Sequence, residues 1–309
     1  RVEEIPVAVL GATEGNGHPF SFAAIINGFD DAGLAASGWP GIHAYVRRRD
    51  RSEFGVGPLR VTHAWTQDPA TTDRLCAACR IPHAAASPGE LIDRVRAVII
   101  ARDDHEEHWA VARPFLEAGL PVFLDKPLSL RPEDLRRFRP YLEQGRLMCA
   151  SGLRFARELD EPRADLSVWG RLRLVRGAVV LDWARYGVHM VEGILGVLPG
   201  RPVAVTAHAA EHASVAIEMS DGPLVLIDAL GAVPKTFRID LFGEQRVSSH
   251  EVEDNFTMFR RLLWAFAGMV RTGRPAIDPE RSLDVPRTLI AGVRARAEGR
   301  RIRLDEIDA

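Results

Sequence analysis

Short apolar runs alternate with amphipathic stretches through the first half of the chain, and this rhythm restricts the possible folds more than any other feature of the sequence. Residues 5–11 (IPVAVLG), 60–69, 96–104, 120–127 and 146–151 read as strands. The segments at 18–29, 70–80, 105–118 and 131–144 read as helices, the third closed by Gly119 as a C-cap. Short apolar strands, each followed by a helix, predict a parallel sheet covered on both faces, the doubly wound α/β class. Residues 29–59 break the rhythm. They are rich in Gly, Trp, Pro and Arg and read as an insertion, a lid or binding loop whose most strand-like part is 41–49 (GIHAYVRRR).

From Leu172 the texture changes. RLRLVRGAVV, VAVTAHAAEHASVAIEMS, PLVLIDALG and KTFRIDLFG read as successive strands joined by turns such as Ser-Asp-Gly and Phe-Gly-Glu, which makes a mostly antiparallel sheet. A helix at 184–198 interrupts it, and helices at 255–271 and 283–298 close the chain. A chain of 309 residues suits two cores better than one. We therefore expect a doubly wound domain over 1–150, with the insertion at about 29–59, and an α+β domain with a large open-faced sheet over 151–309.

Composition removes several classes of function. The net charge of −2 offers no electrostatic footprint for nucleic acid. No apolar run approaches the roughly 20 residues of a membrane span, and RVEEIPVAVL reads as a first strand rather than a signal peptide. Three cysteines form no disulfide framework. Cys76 and Cys79 have redox-motif spacing but lie inside a helix, where they read as structural. These features suit a protein of the reducing cytoplasm.

The chemistry concentrates at strand ends. The loop Gly11-Ala12-Thr13-Glu14-Gly15-Asn16-Gly17 follows the first strand and opens a helix, as a dinucleotide pyrophosphate site would, although its spacing departs from G-x-G-x-x-G. The second strand ends at Thr66-Gln67, where a ribose-binding acidic residue would favour NAD. A hydroxyl and an amide favour NADP instead, and the run Arg47-Arg48-Arg49 could supply charge for its phosphate. The fourth strand ends at Asp125-Lys126-Pro127, at the edge where open α/β sheets bind ligands. The chain has 38 arginines and only two lysines, Lys126 and Lys235, so a lysine here asks for an explanation. An ammonium can shift its pKa and exchange protons, whereas a guanidinium stays charged. In DDHEEH (103–108), His105 and His108 share a helix face, but the acidic residues suit a helix start better than a metal site. His208 and His212 read as ordinary sheet and turn histidines.

These residues carry a resemblance. The stretch His108-Trp-Ala-Val-Ala112…Leu116-Glu-Ala-Gly119, then Asp125-Lys126-Pro127, resembles the hallmark of the Gfo/Idh/MocA family of glucose–fructose oxidoreductases and inositol dehydrogenases. The likeness continues through ASGLRFARELDE (150–161), YGVHMVE (186–192) and 266–304, leaving out the insertion. It implies a Rossmann domain binding NAD or NADP, with Gly11, Ala12, Thr13, Gly15, Asn16, Gly17, Thr66, Gln67, Asp103, Asp104, His108 and Asp125 at cofactor positions. It implies a catalytic pair, Lys126 and His189, with Glu192 at the last acidic place of a D-x-x-x-H-x-x-D pattern. The substrate would be a sugar, inositol or related polyol in a pocket between the Rossmann edge and the open sheet, lined also by Arg154, Arg157, Arg185 and Tyr186. The open sheet face would make a homodimer or homotetramer.

The sequence departs from the family pattern in four places. Arg185 stands where the family has the Asp four residues before the histidine, with Asp182 and Tyr186 as nearby substitutes. Asp103-Asp104 replaces a Thr-Pro pair and adds negative charge beside the expected nicotinamide, and Thr13 and Thr66 alter the cofactor loop. The alternatives to a dehydrogenase are therefore a non-catalytic relative that binds a sugar-like ligand or partner protein, and an enzyme that recycles a tightly held cofactor in place.

Overall fold

A computed structural model of the chain describes residues 3–308. The chain divides into two compact units. The first comprises residues up to Leu128, Pro140–Cys149 and Phe259–Ile277; the second comprises Ser129–Arg139, Ala150–Met258 and residues from Asp278 onward.

The first unit holds a six-stranded parallel sheet of β1 (Ile5–Leu10), β2 (Leu59–Trp65), β3 (His83–Ala84), β4 (Ala97–Ile100), β5 (Val122–Leu124) and β6 (Leu147–Met148), in the order β3-β2-β1-β4-β5-β6. That order is the doubly wound one, with its crevice at the C-terminal edge between β1 and β4. Helices α1 (His18–Asn27), α2 (Asp31–Ala35), α3 (Pro40–Arg47), α4 (Pro69–Cys79) and α5 (His108–Glu117) connect these strands, and α6 (Pro132–Glu143) leads to β6. β1 and β4 are buried almost throughout because helices cover both faces, which explains why they read as unbroken apolar runs rather than alternations.

Residues 41–49 are not a strand. Pro40 takes the first position of α3, where its missing N–H costs nothing and its fixed φ suits a helix. Ile42 and Val46 then fall one turn apart, with Val46 fully buried. The insertion is thus two short helices and a 3-10 turn that pack on the sheet unit, not an irregular lid.

The second unit holds a seven-stranded sheet of β7 (Leu172–Val179), β8 (Pro202–His208), β9 (Ala213–Met219), β10 (Leu224–Ala229), β11 (Phe237–Gly243), β12 (Val247–Glu251) and β13 (Ile302–Arg303). Every pairing is antiparallel except β7 with β10. The remaining helices are α7 (Asp160–Ala164), α8 (Trp183–Leu195), α9 (Asn255–Thr272) and α10 (Pro279–Glu298). Three strands were invisible to the pattern: β3 and β13 are two residues long each, and β12 alternates exposed and half-buried residues, most of them polar. Among the described residues, no helix is long and apolar enough to cross a membrane.

Candidate functional site

In the first unit the site is built on the Gly-rich turn after β1. Gly11 has φ +83°, and a Cβ there would stand 2.7 Å from Arg102 Cδ, so only glycine fits. Side chains from three neighbouring strand ends then fix the turn. From β2, Gln67 Oε1 accepts the Ala12 N–H at 2.9 Å while its Nε2 donates to the Ala12 carbonyl at 2.8 Å. Beyond β4, Asp103 accepts the Thr13 hydroxyl at 2.6 Å. Beyond β5, Asp125 accepts from Asn16 Nδ2 at 2.9 Å and lies 2.7 Å from His18 Nδ1. Gly17 is closed off by the insertion, since a Cβ there would meet Ile42 at 2.5 Å and Trp39 at 2.9 Å.

Asp125 is the electrostatic centre of this arrangement. Burial would raise its pKa, but the charge and hydrogen bond of His18, the neighbouring Lys126 and the Asn16 amide outweigh burial and hold the carboxyl well below the ordinary range. Lys126 itself is buried, with Nζ 3.7 Å from Asp103. Arg102 holds Asp104 through two hydrogen bonds. The negative charge that Asp103-Asp104 adds here lies beside cations, Lys126 being shared by Asp103 and Asp125 and Arg102 holding Asp104.

A cavity of about 310 Å³ lies between the Gly-rich turn and the β2–α4 loop, with Phe20, Trp39, Thr71 and Arg74 among its walls. The backbone N–H groups of Glu14, Gly15 and Gly17 make no hydrogen bond among the described residues, so they are available to a phosphate. Cavity and donors together fit the adenosine and pyrophosphate portion of a dinucleotide. Thr66 lines this cavity as well, with its side chain already engaged. Its hydroxyl turns inward to donate to the Asp68 carbonyl at 2.8 Å, and its N–H goes to Thr72. The Arg47-Arg48-Arg49 run does not line this cavity; Arg47 faces Asp31 at 3.0 Å and Arg49 faces Glu53 at 3.2 Å. The cation that does line it is Arg74, which donates to Thr71 Oγ1 at 2.8 Å.

His108 is wholly buried, and both ring nitrogens face carbonyl oxygens, of Arg102 at 2.7 Å and Leu128 at 3.0 Å. It ties the β4 end to the β5 end and presents no side-chain atom to a cofactor or metal. No group of three or more His, Cys, Asp or Glu among the described residues is placed to hold a metal ion. Burial pushes the Cys76 thiol up to about 11, and the Cys79 thiol donates to the Phe20 carbonyl at 3.3 Å, so neither resembles a reactive thiolate. His212 pairs with Asp228 at 2.8 Å.

In the second unit, Asp182 caps α8 by accepting the Arg185 N–H at 2.9 Å, and His189 stands one turn beyond Arg185. Tyr186 and Phe237 set their rings 5.1 and 5.5 Å from the imidazole. Ser151, which opens a 3-10 turn, places its hydroxyl 2.7 Å from His189 Nδ1. Glu192 is buried against Arg154 at 2.6 Å, and its burial raises its pKa despite that cation. Arg154 thus holds Glu192 through Nε while its Nη2 is buried without a hydrogen-bond partner among the described residues, and Arg157 faces Asp254 at 3.0 Å. Arg185 is exposed with no ion pair among the described residues, and Tyr186 is half-buried beside His189. Sequence reasoning missed Ser151, His18 and Arg74. A serine ahead of a turn and a His-Pro at a helix start are common, so none stood out without its partner.

Comparison with known proteins agrees with this architecture. Residues 32–152 match the model of an oxidoreductase family with an NAD-binding Rossmann fold, a match that includes most of the insertion. No protein of curated function matches the sequence. Among solved structures, scyllo-inositol dehydrogenase from Lactobacillus casei with bound NAD(H) and scyllo-inositol superposes with a TM-score of 0.75 at 12% identity, covering 98% of this chain and 100% of that one. The myo-inositol 2-dehydrogenase from Lactobacillus plantarum gives 0.76 at 12% identity, with 97% and 99% covered. GenD2 from gentamicin A biosynthesis, in complex with NAD, gives 0.72 at 18% identity, with 98% and 97% covered. At these identities the likeness is one of fold.

Proposed function

We propose that this chain, whose residues 32–152 match the model of the Gfo/Idh/MocA oxidoreductase family, belongs to that family and is a nicotinamide-dependent dehydrogenase or reductase acting on a sugar, inositol or related polyol. Lys126 and His189 are its acid–base residues. The observation that carries the reading is the hydrogen bond from Ser151 to His189 Nδ1. It occupies Nδ1 and fixes the ring, so that Nε2 is the nitrogen that exchanges a proton with substrate, although unlike a carboxylate the serine donates to Nδ1 rather than accepting from it. In the reducing direction His189 gives its Nε2 proton to the substrate oxygen with Lys126 sharing the task, while a hydride adds to the carbonyl carbon and forms the C–H bond. When bound, the nicotinamide supplies the acceptor or donor of that hydride.

The cofactor is held by the Gly-rich turn, with Arg74 favouring NADP over NAD at the cavity wall. The substrate class is supported by the polyol held in the L. casei enzyme of the same fold. Homodimer or tetramer formation is supported by Val203, Leu224 and Val247, which are exposed on strands of the seven-stranded sheet.

The second reading, a ligand-binding relative without catalysis, is favoured by Gln67, which consumes the Ala12 N–H that a phosphate could otherwise use. Titration of the wild type, Lys126→Ala and His189→Asn with NADH and NADPH, followed by nicotinamide fluorescence, separates the two. A dehydrogenase binds nucleotide in all three forms, and either substitution slows polyol turnover by about a hundredfold or more. Folded protein that binds neither nucleotide at about millimolar concentration is the non-catalytic relative.

A further inference from the structure

A second cavity, of about 550 Å³, opens at the C-terminal end of α1, the end remote from the Gly-rich turn. Four arginines line it: Arg47, Arg49 and Arg51 from the 29–59 segment, and Arg80 from the end of α4. Asp31 is the single acidic residue on the lining, and it already faces Arg47 at 3.0 Å and His43 at 2.7 Å. Arg49 has Glu53 at 3.2 Å. Arg51 and Arg80 face no carboxylate among the described residues, in a chain whose arginines are otherwise widely paired.

Helix ends supply part of the missing negative charge, but not enough of it. α1, α3 and α4 all terminate here, and each C-terminus is equivalent to about half a negative charge. Together with Asp31 and with Glu53 on Arg49 they offset roughly three and a half of the four guanidinium charges, but neither carboxylate faces Arg51 or Arg80, whose guanidinium groups are left to bind an anion. Arg80 also sits in the left-handed region at φ +53°, the C-cap position where glycine is the favourable residue. Its Nη1 comes within 3.8 Å of where a Gly28 Cβ would stand, so the side chain lies across the cavity. The cavity is also lined by Phe29 and Phe54, whose rings are 5.7 Å apart.

We propose that this cavity binds a small organic phosphate, its phosphate on Arg51 and Arg80 and its ring against Phe29 and Phe54. Guanidinium forks match phosphate oxygens in a way that a single carboxylate would not demand. The site is separate from the dinucleotide cavity and independent of the dehydrogenase reading.

The test is calorimetric titration of the full chain at low ionic strength with phenyl phosphate, glucose 6-phosphate and inorganic phosphate. The same titration is run on the double variant Arg51→Ala, Arg80→Gly. Both positions are exposed and glycine suits the left-handed backbone, so the variant should fold. We expect a phosphomonoester to bind below about 1 mM and to bind the variant about tenfold or more weakly. Tighter binding of phenyl phosphate identifies an aromatic ester as the ligand class, and tighter binding of glucose 6-phosphate a sugar ester. No binding by about 10 mM, or equal affinity for wild type and variant, overturns the proposal, the latter because the phosphate would then be held elsewhere.

Discussion

Ser151 Oγ lies 2.7 Å from His189 Nδ1 and also accepts the Leu153 N–H at 3.2 Å. With Ser151 buried, its hydroxyl proton has Nδ1 as its acceptor, and a neutral His189 then carries its own proton on Nε2. The opposite tautomer would leave a buried O–H unsatisfied at a cost of about 1–3 kcal/mol. On the proposed assignment of His189 as an acid–base residue, this tautomer donates a proton to a carbonyl and favours the reducing direction. Ser151→Ala should lower kcat for carbonyl reduction about tenfold and shift its pH profile while leaving nucleotide affinity unchanged. Ser151→Thr should restore most of the rate. An unaltered kcat and pH profile in Ser151→Ala would show that the serine only fills space.

Arg74 bears on cofactor choice. If its guanidinium receives the 2′-phosphate, Arg74→Ala weakens NADPH binding by about tenfold and leaves NADH binding as it was. Fluorescence titration of both nucleotides decides it, and parallel losses would mean that Arg74 acts on the cavity as a whole.

Asp125 makes stability depend on acid. Its folded-state pKa lies below the unfolded value, so its contribution is fully present above about pH 4 and is lost as pH falls through the folded value. In urea unfolding, wild type should exceed Asp125→Asn in stability at about pH 7, and the gap should narrow as pH drops below about 4. A gap that stays constant with pH would be inconsistent with the ionised carboxylate being what Asn16 and His18 hold.

Gly292 on α10 lies against the Trp183 indole, where a Cβ would stand 2.5 Å from Nε1. That nitrogen also donates to the Leu289 carbonyl at 2.9 Å, so the ring cannot step aside without losing a bond. Gly292→Ala should destabilise the protein by about 1–3 kcal/mol. Because Trp183 is in the first turn of α8, the helix that carries His189, turnover should fall as well. Chemical denaturation with parallel rate assays measures both.

The strand and helix order of the first half was legible because β1, β4 and β5 are buried and therefore apolar without interruption. The 41–49 segment misled because Tyr45 and Val46 are β-formers, whereas Pro40 and the Ile42–Val46 spacing decide for a helix. Lys126 and His189 stood out as residues, through scarcity in one case and family pattern in the other. What they touch did not. The partners of Thr13, Asn16 and His189 lie 90, 109 and 38 positions away in the sequence, separations that no local pattern encodes. Thr66 shows the reverse limit. Its place at the end of β2 was foreseen, but whether a hydroxyl turns outward or toward Thr72 is settled by packing.

The first unit closes only with residues made late in translation. The Phe22 and Phe123 rings meet Phe259 and Phe266 at 5.4 and 5.9 Å, and Leu263 and Phe266 are wholly buried. A ribosome that has just completed β6 must add the second unit's whole sheet apart from β13 before α9 can leave the exit tunnel. At ordinary synthesis rates this takes on the order of ten seconds. Throughout that interval the finished parallel sheet stands with one apolar flank uncovered, so the nascent chain is a client for holding chaperones, and genes truncated after β6 should yield aggregates rather than a free nucleotide-binding module.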